Sequence, residues 1–282
     1  MKSTHTHVAR PPACAGTFYD ANPVALRRDI RAQLDAAGPA ASPGPIRGIV
    51  APHAGHLFSG APAARAYRLL EGTGVRRVIL TGPCHRVPFH GVAATLDSAF
   101  DTPLGSVPLD TDFVARLIET TDFTEENRLA HRDEHSLEVH LPFLQVVLTE
   151  WKLVPLLISR QSWDMTQRLG EALVMLLRDD PTPTVLIASS DLYHGNDRDA
   201  CEASDRLCAE AIERFDPESF HMGAANREYQ ACGAGPIAAA MLASRALGAT
   251  ASRVLCVTNS SETFPTPHAD RVVGYLSAVF HG

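Results

Sequence analysis

The sequence predicts an α/β fold: one domain built on a mostly parallel central sheet with helices on both faces. Three observations carry this reading. Short, nearly continuous apolar runs recur along the chain, as in strands buried on both faces. Amphipathic helical patterns alternate with them. No internal repeat, linker or shift in composition divides the 282 residues, a length that one large domain can bury.

From the N-terminus, residues 1–10 are polar and are expected to form a flexible tail, which makes His5 and His7 poor metal ligands. The domain is expected over residues 11–282. A first helix is predicted from Pro23 to Ala37. Asn22 suits the N-cap, Pro23 suits the first helical position, and Gly38 can close the end. Leu26, Ile30 and Leu34 form an i, i+4 stripe on it. Gly38 to Pro45 reads as a loop. Strands follow at Ile46–Ala51, Arg77–Leu80, Leu153–Ile158, Thr184–Ala188, Arg253–Val257 and Val272–Val279. Helices are predicted between them at Ala61–Leu70, Thr111–Glu119, Ser136–Leu148, Trp163–Leu177, Asp199–Phe215 and Pro236–Leu247.

Hydrophobic residues make up 45% of the chain and charged residues 20%, an ordinary globular composition. The formal net charge is -7, and Lys2 and Lys152 are the only lysines. Nucleic acid is therefore excluded as the expected partner, because neutralising phosphates requires a basic face. No stretch reaches the roughly 20 apolar residues of a membrane span. The first residues lack the apolar run of a signal peptide. Six scattered cysteines without a C-x-x-C pair point to reduced thiols and a cytoplasmic protein. A small molecule or a peptide remains as the expected ligand, and the sequence sets no oligomeric state.

Sites in open α/β sheets form at the carboxyl ends of strands. The strand ending at Ala51 is followed by Pro52-His53-Ala54-Gly55-His56. The strand ending at Leu80 runs on into Thr81-Gly82-Pro83-Cys84-His85, and the strand ending at Ala188 into Ser189-Ser190-Asp191-Leu192-Tyr193-His194. Any one of these histidines alone reads as an ordinary core residue. Three predicted strands delivering histidine to one edge point to a metal or proton-transfer site.

Two further clusters stand out. His131-Arg132-Asp133-Glu134-His135 precedes the helix predicted at Ser136, and in that helix His135 would share a face with Glu138, and Ser136 with His140. The plain reading is a capped, solvated helix start. The functional reading is a shell around the metal histidines or a substrate pocket. Cys232 opens Cys232-Gly233-Ala234-Gly235-Pro236, where a helix dipole would favour its thiolate. Its plain reading is a small apolar residue beside a turn. Gly233, Gly235 and Ala238 match G-x-G-x-x-A, but no strand precedes them, so no nucleotide cofactor is expected. The G-x-S-x-G elbow of serine hydrolases is absent.

The strings Gly48–Gly55 (GIVAPHAG), Thr81–His85 (TGPCH), Glu134–Gln145 (EHSLEVHLPFLQ), Ala188–His194 (ASSDLYH) and Ala231–Gly233 (ACG) together resemble the MEMO family. So does Pro11–Pro23 (PPACAGTFYDANP), and the matches keep the family's order over nearly the whole chain. The resemblance implies a fold like that of the class III, LigB-type extradiol dioxygenases, whose iron is held by two histidines and a glutamate. For MEMO-like proteins it implies two histidines and a cysteine, here His53, His85 and Cys232. Asp191 and His194 fall on the family's S-S-D-x-x-H motif, with His194 in the place of the dioxygenase acid/base histidine. Two positions depart from the pattern. His56 stands where an aromatic usually follows the A-P-H-A-G motif, and Cys84 stands where serine usually precedes the second histidine. Both add donor atoms beside the site.

Two imidazoles and a thiolate leave coordination positions open, as catalytic rather than structural sites do. Thiolate in place of carboxylate softens the site, which admits copper or zinc as readily as iron. Iron or copper is the expected ion, with zinc as the alternative. The leading expectation is a metal-dependent redox enzyme, with Asp191 orienting His194 for proton transfer. A binding or adaptor module that recognises a peptide or small ligand in the same pocket is the second, since eukaryotic relatives are described as adaptors. A zinc hydrolase is the third. Fold by itself does not choose among them.

Overall fold

The computed structural model describes residues 8–39, 44–265 and 270–282. Helix α1 (Pro23–Ala36) forms as its caps require: Asn22 accepts from the amides of Val24 and Ala25, and Leu26, Ile30 and Leu34 are buried. Gly38 closes it with φ of 78°, a left-handed conformation that glycine adopts without strain. Then follow β1 (Ile46–Ala51), α2 (His56–Tyr67), β2 (Arg77–Pro83), β3 (Val92–Ala94), β4 (Ala99–Thr102), β5 (Gly105–Pro108), α3 (Thr111–Thr120), β6 (Thr124–Glu126), α4 (Arg128–Arg132) and α5 (Leu141–Val147). The second half holds β7 (Lys152–Ile158), α6 (Trp163–Leu177), β8 (Thr184–Ser189), β9 (His194–Gly195), α7 (Arg198–Arg214), α8 (Pro217–Ala225), α9 (Ala234–Ala246), β10 (Ala251–Asn259), α10 (Ser260–Thr263) and β11 (Val272–His281).

The main sheet runs β10-β11-β1-β8-β2-β7-β3-β6, with β9 pairing β11. Its centre is parallel, β1 against β8, β8 against β2 and β2 against β7. The flanks make the whole sheet mixed. β11 is antiparallel to β1, β10 to β11, and β3 to β7. Two apolar layers cover it. Leu26, Ile30 and Tyr67 pack on one face with Phe143, and Leu169, Leu173, Ile212 and Met241 pack on the other. No described helix is long and apolar enough to cross a membrane.

Two local expectations change, and others fall outside the described residues. Residues 1–7, including His5 and His7, lie outside the described residues, as do residues 40–43 of the expected loop. Arg10, the last residue of the expected tail, is buried at 3% exposure and bonded to Glu138. The helix predicted from Ser136 begins only with a 3-10 turn at Glu138–His140, and α5 follows at Leu141. Its start is not a solvated cap: Glu134, Ser136, Glu138 and His140 are all buried. Pro142 fixes the backbone for a first helical turn at α5, and side-chain bonds hold the residues before it in a turn.

On α7, Asp205 is buried against β11, where a Cβ at Gly274 would collide with its carboxylate. Burial raises this carboxyl to about 6, against the opposing bonds from the Tyr193 amide and the Cys201 thiol. A raised carboxyl pKa favours the fold below the unfolded value and disfavours it as pH rises through the folded one. Asp205→Asn is therefore expected to be level with the parent near pH 4 and more stable by about 2 kcal/mol at pH 8. Urea unfolding at the two pH values checks it, and an advantage independent of pH would contradict it.

Candidate metal centre

The register of the parallel strands assembles the site. Ala51 of β1 lies beside Ser189 of β8, and Ala188 of β8 lies beside Thr81 of β2. Strands β1, β8 and β2 are neighbours running the same way, so the segments after them leave from one edge. Among the described residues, the donor atoms that all lie within 4.8 Å of one another belong to His53, His85 and His135. The His53 ring is edge-on to His85 at 5.2 Å and to His135 at 5.4 Å, while His85 and His135 stack at 4.7 Å.

His53 is 2% exposed and its tautomer is fixed by a chain of bonds. Ser189 Oγ donates its one proton to the Ser136 carbonyl at 2.6 Å. The 2.6 Å contact between Ser189 Oγ and His53 Nδ1 must then be donated by Nδ1–H. Nε2 is left with a lone pair, and it lies 3.3 Å from Cys232 Sγ. Burial first, and then the neighbouring imidazoles His135 and His85, push the His53 ring well below its ordinary value, so it stays neutral and able to ligate.

His85 is held by Glu134. The carboxylate accepts from the His85 amide at 2.6 Å and from His85 Nδ1 at 3.0 Å, which leaves Nε2 for a ligand. Glu134 also accepts from the amides of His135 and Ser136, each at 3.0 Å. Burial would raise this carboxyl, but the bonds from His135, His85 and Ser136 outweigh it and hold the group well below the usual carboxylate range. His85 keeps 34% side-chain exposure, so the cluster opens to solvent on its side.

Cys232, in the segment before α9, comes beside His53, and its sulfur is not one of the donor atoms that all lie within 4.8 Å of one another. Its amide donates to the Asp191 carbonyl at 3.1 Å, and the Asp191 amide donates to its sulfur at 3.2 Å. The Asp191 carboxylate accepts from the amide of His53 at 2.8 Å and of Ala54 at 3.3 Å, so one residue ties the His53 and Cys232 segments together. A side chain at Gly233 would strike the Ser189 carbonyl, which only glycine permits at this approach. The Gly233 amide bonds Ser190 Oγ and the Gly235 amide bonds Gln161. Burial, and then the charge of Asp191, push the Cys232 thiol up to about 12.

The other expected residues divide. His135 stands in the donor cluster itself, ahead of the surrounding role the sequence suggested. His194 is exposed, with Nδ1 donating to the Leu192 carbonyl at 3.0 Å. His56 donates from Nε2 to the Val139 carbonyl at 2.7 Å and packs on Phe143, and burial lowers it to about 4. Cys84 turns its thiol to the Val87 carbonyl at 3.3 Å. Glu138 receives Arg10, Tyr19 and the amides of Ala13 and Cys14, which commits it to anchoring the N-terminal segment. His140 bonds the Tyr67 hydroxyl through Nδ1, and burial lowers it to about 3. Sequence reading missed Ser189 and underweighted Glu134. Both sit inside strings already singled out, Ala188–His194 and Glu134–Gln145, but the histidines they orient, His53 and His85, lie far away in sequence.

The whole chain can be compared with known proteins. A family model described as Memo-like protein matches residues 10–279. A MEMO1 family protein of Methanopyrus kandleri is 36% identical over 280 residues, covering 96% of this chain and 98% of that protein. Another from Methanothermobacter thermautotrophicus is 33% identical, over 94% of this chain and 98% of the relative. A bacterial one from Thermotoga neapolitana is 33% identical over 96% and 99%. With matches of this extent, and with the strand-end histidines assembled on a LigB-like α/β sheet, the chain belongs to the Memo-like family.

Proposed function

We propose that this chain is a mononuclear metal protein, and that it is a redox enzyme whose ion is held by His53, His85 and Cys232. The observation that carries the reading is the contact between His53 Nε2 and Cys232 Sγ at 3.3 Å, made by a ring whose other nitrogen is committed to Ser189. Two ligands on one tetrahedral ion, with bonds of roughly 2.0 Å to nitrogen and 2.3 Å to sulfur, stand roughly 3.5 Å apart. Burial keeps the Cys232 thiol protonated without metal, and binding would displace that proton. When bound, iron or copper would supply one-electron redox chemistry at this place.

The protein's own groups prepare the site in three ways. Ser189 and Glu134 orient the two imidazoles. The Asp191 amide donates to the sulfur and stabilises its thiolate form. His194, with Nδ1–H given to Leu192, would keep Nε2 as the atom for proton transfer. A small molecule or a peptide would enter past the exposed face of His85. The six free cysteines support the reducing cytoplasm as its compartment.

One observation favours a second reading. His53, His85 and His135 offer three imidazoles, a ligand set that catalytic zinc also uses, and this supports a zinc hydrolase. Metal analysis of protein purified anaerobically from metal-replete cells separates the two. About one iron or copper per chain is expected. Zinc alone would favour the hydrolase, and a chain that holds no transition metal under these conditions would overturn both.

A further inference from the structure

The carboxylate of Glu134 lies at the junction of two imidazoles. Its Oε1 accepts from His85 Nδ1 at 3.0 Å, and His135 Nδ1 stands 3.1 Å from that same oxygen. Oε1 also accepts from the amides of His135 and Ser136, and Oε2 from the amide of His85. The side chain is 1% exposed, so no water competes for these donors. The two rings it touches stack on each other, tilted by 27°, and Phe18 covers the outer side of His135 at 4.7 Å. A carboxylate can only accept, so the His85 ring that bonds it must present N–H, while His135 Nδ1 stands close without forming a hydrogen bond and is held to Glu134 through its backbone amide.

We infer that Glu134 is the positioning residue of this site: a single carboxylate that sets the tautomer of His85 and the placement of His135 together. His85 is thereby committed to Nδ1–H, with its Nε2 lone pair turned outward. His135 is kept parallel to it by the stack and by its own backbone bond to the same oxygen. The two rings are one unit, supplied by β2 on one side and by the turn before α5 on the other. Glutamine at 134 would offer one acceptor oxygen, and its NH₂ would face the amide donors that surround the carboxylate. This inference rests on the metal-centre reading only for its purpose, because the tautomer is a property of the metal-free protein.

Long-range ¹H–¹⁵N NMR on the metal-free full chain at pH 8 tests it, with His85→Gln and His135→Gln spectra for assignment. His85 is expected as the Nδ1–H tautomer in the parent, and as a mixture with Nε2–H in Glu134→Gln. Cobalt(II) titration of the same two proteins should show affinity lower by about 10–100-fold in Glu134→Gln, with the sulfur-to-cobalt charge-transfer band retained. Finding His85 as Nε2–H in the parent would overturn the inference without any substitution, and so would an unchanged tautomer in a folded Glu134→Gln. A parent that binds no cobalt, yet shows the expected tautomers, would defeat the metal reading and leave the role of Glu134 standing.

Discussion

His85→Ala and Cys232→Ser are each expected to lower metal affinity by about two to three orders of magnitude. The size follows from the binding energy of closed zinc sites, about 10–16 kcal/mol spread over four ligands, or about 2.5–4 kcal/mol for each. His53→Ala belongs to the same class, although its burial makes it the variant most exposed to misfolding. His194→Ala is the contrast. Its ring is exposed and bonds its own segment, so metal affinity should stay within a few-fold of the parent while any metal-dependent turnover falls by roughly 10²–10⁴-fold. Iron(II), copper(I) and zinc titrations of each variant check the division. Loss of metal in His194→Ala as complete as in His85→Ala would make His194 a ligand. A Cys232→Ser protein that binds as well as the parent would leave His135 as the third donor.

Arg10→Ala should cost about 3–5 kcal/mol of stability, because it strands a buried carboxylate. Arg10 and Glu138 meet at 2.6 Å with side chains 2% and 0% exposed. Arg10 Nε also donates to the His131 carbonyl at 2.6 Å, and Nη2 to the Glu134 carbonyl at 2.9 Å. Its guanidinium therefore clamps both ends of the segment that carries Glu134 and His135. Lysine cannot reproduce three divergent bonds, so Arg10→Lys should recover little. Urea unfolding at pH 7 with an unchanged slope measures the loss. A cost under about 1 kcal/mol would mean that Glu138 finds compensation elsewhere.

The strand-end histidines were legible because strong local signals coincide there. An apolar run buried on both faces must end where the chain turns polar, and in β1, β2 and β8 it ends on Pro52-His53, Cys84-His85 and Ser190-Asp191. Parallel order then brings those ends together without further information. The turn carrying Glu134 and His135 was less legible. Its apolar spacing fits a helix, whereas the backbone is held by bonds to residues far away in sequence, Ser136 Oγ to the Pro83 carbonyl among them. Such long-range bonds leave no periodic trace. Strands β3 and β6 have three residues each, too few to show alternation. The direction of β11 was hidden as well. Its ten residues read as a buried strand whichever way they run, and only pairing with β1 and β10 sets them antiparallel. Helix α8 carried its signals in Asp216 and Pro217, but few apolar residues follow to make them stand out.

The central claim is that one ion binds between two imidazoles and the Cys232 sulfur, and X-ray absorption at the metal edge addresses it most directly. Protein loaded with one equivalent of zinc or cobalt(II) is expected to show one sulfur scatterer at roughly 2.3 Å and at least two imidazole nitrogens at roughly 2.0–2.1 Å, with the sulfur shell gone in Cys232→Ser. A first shell of nitrogen and oxygen alone in the parent protein would contradict it.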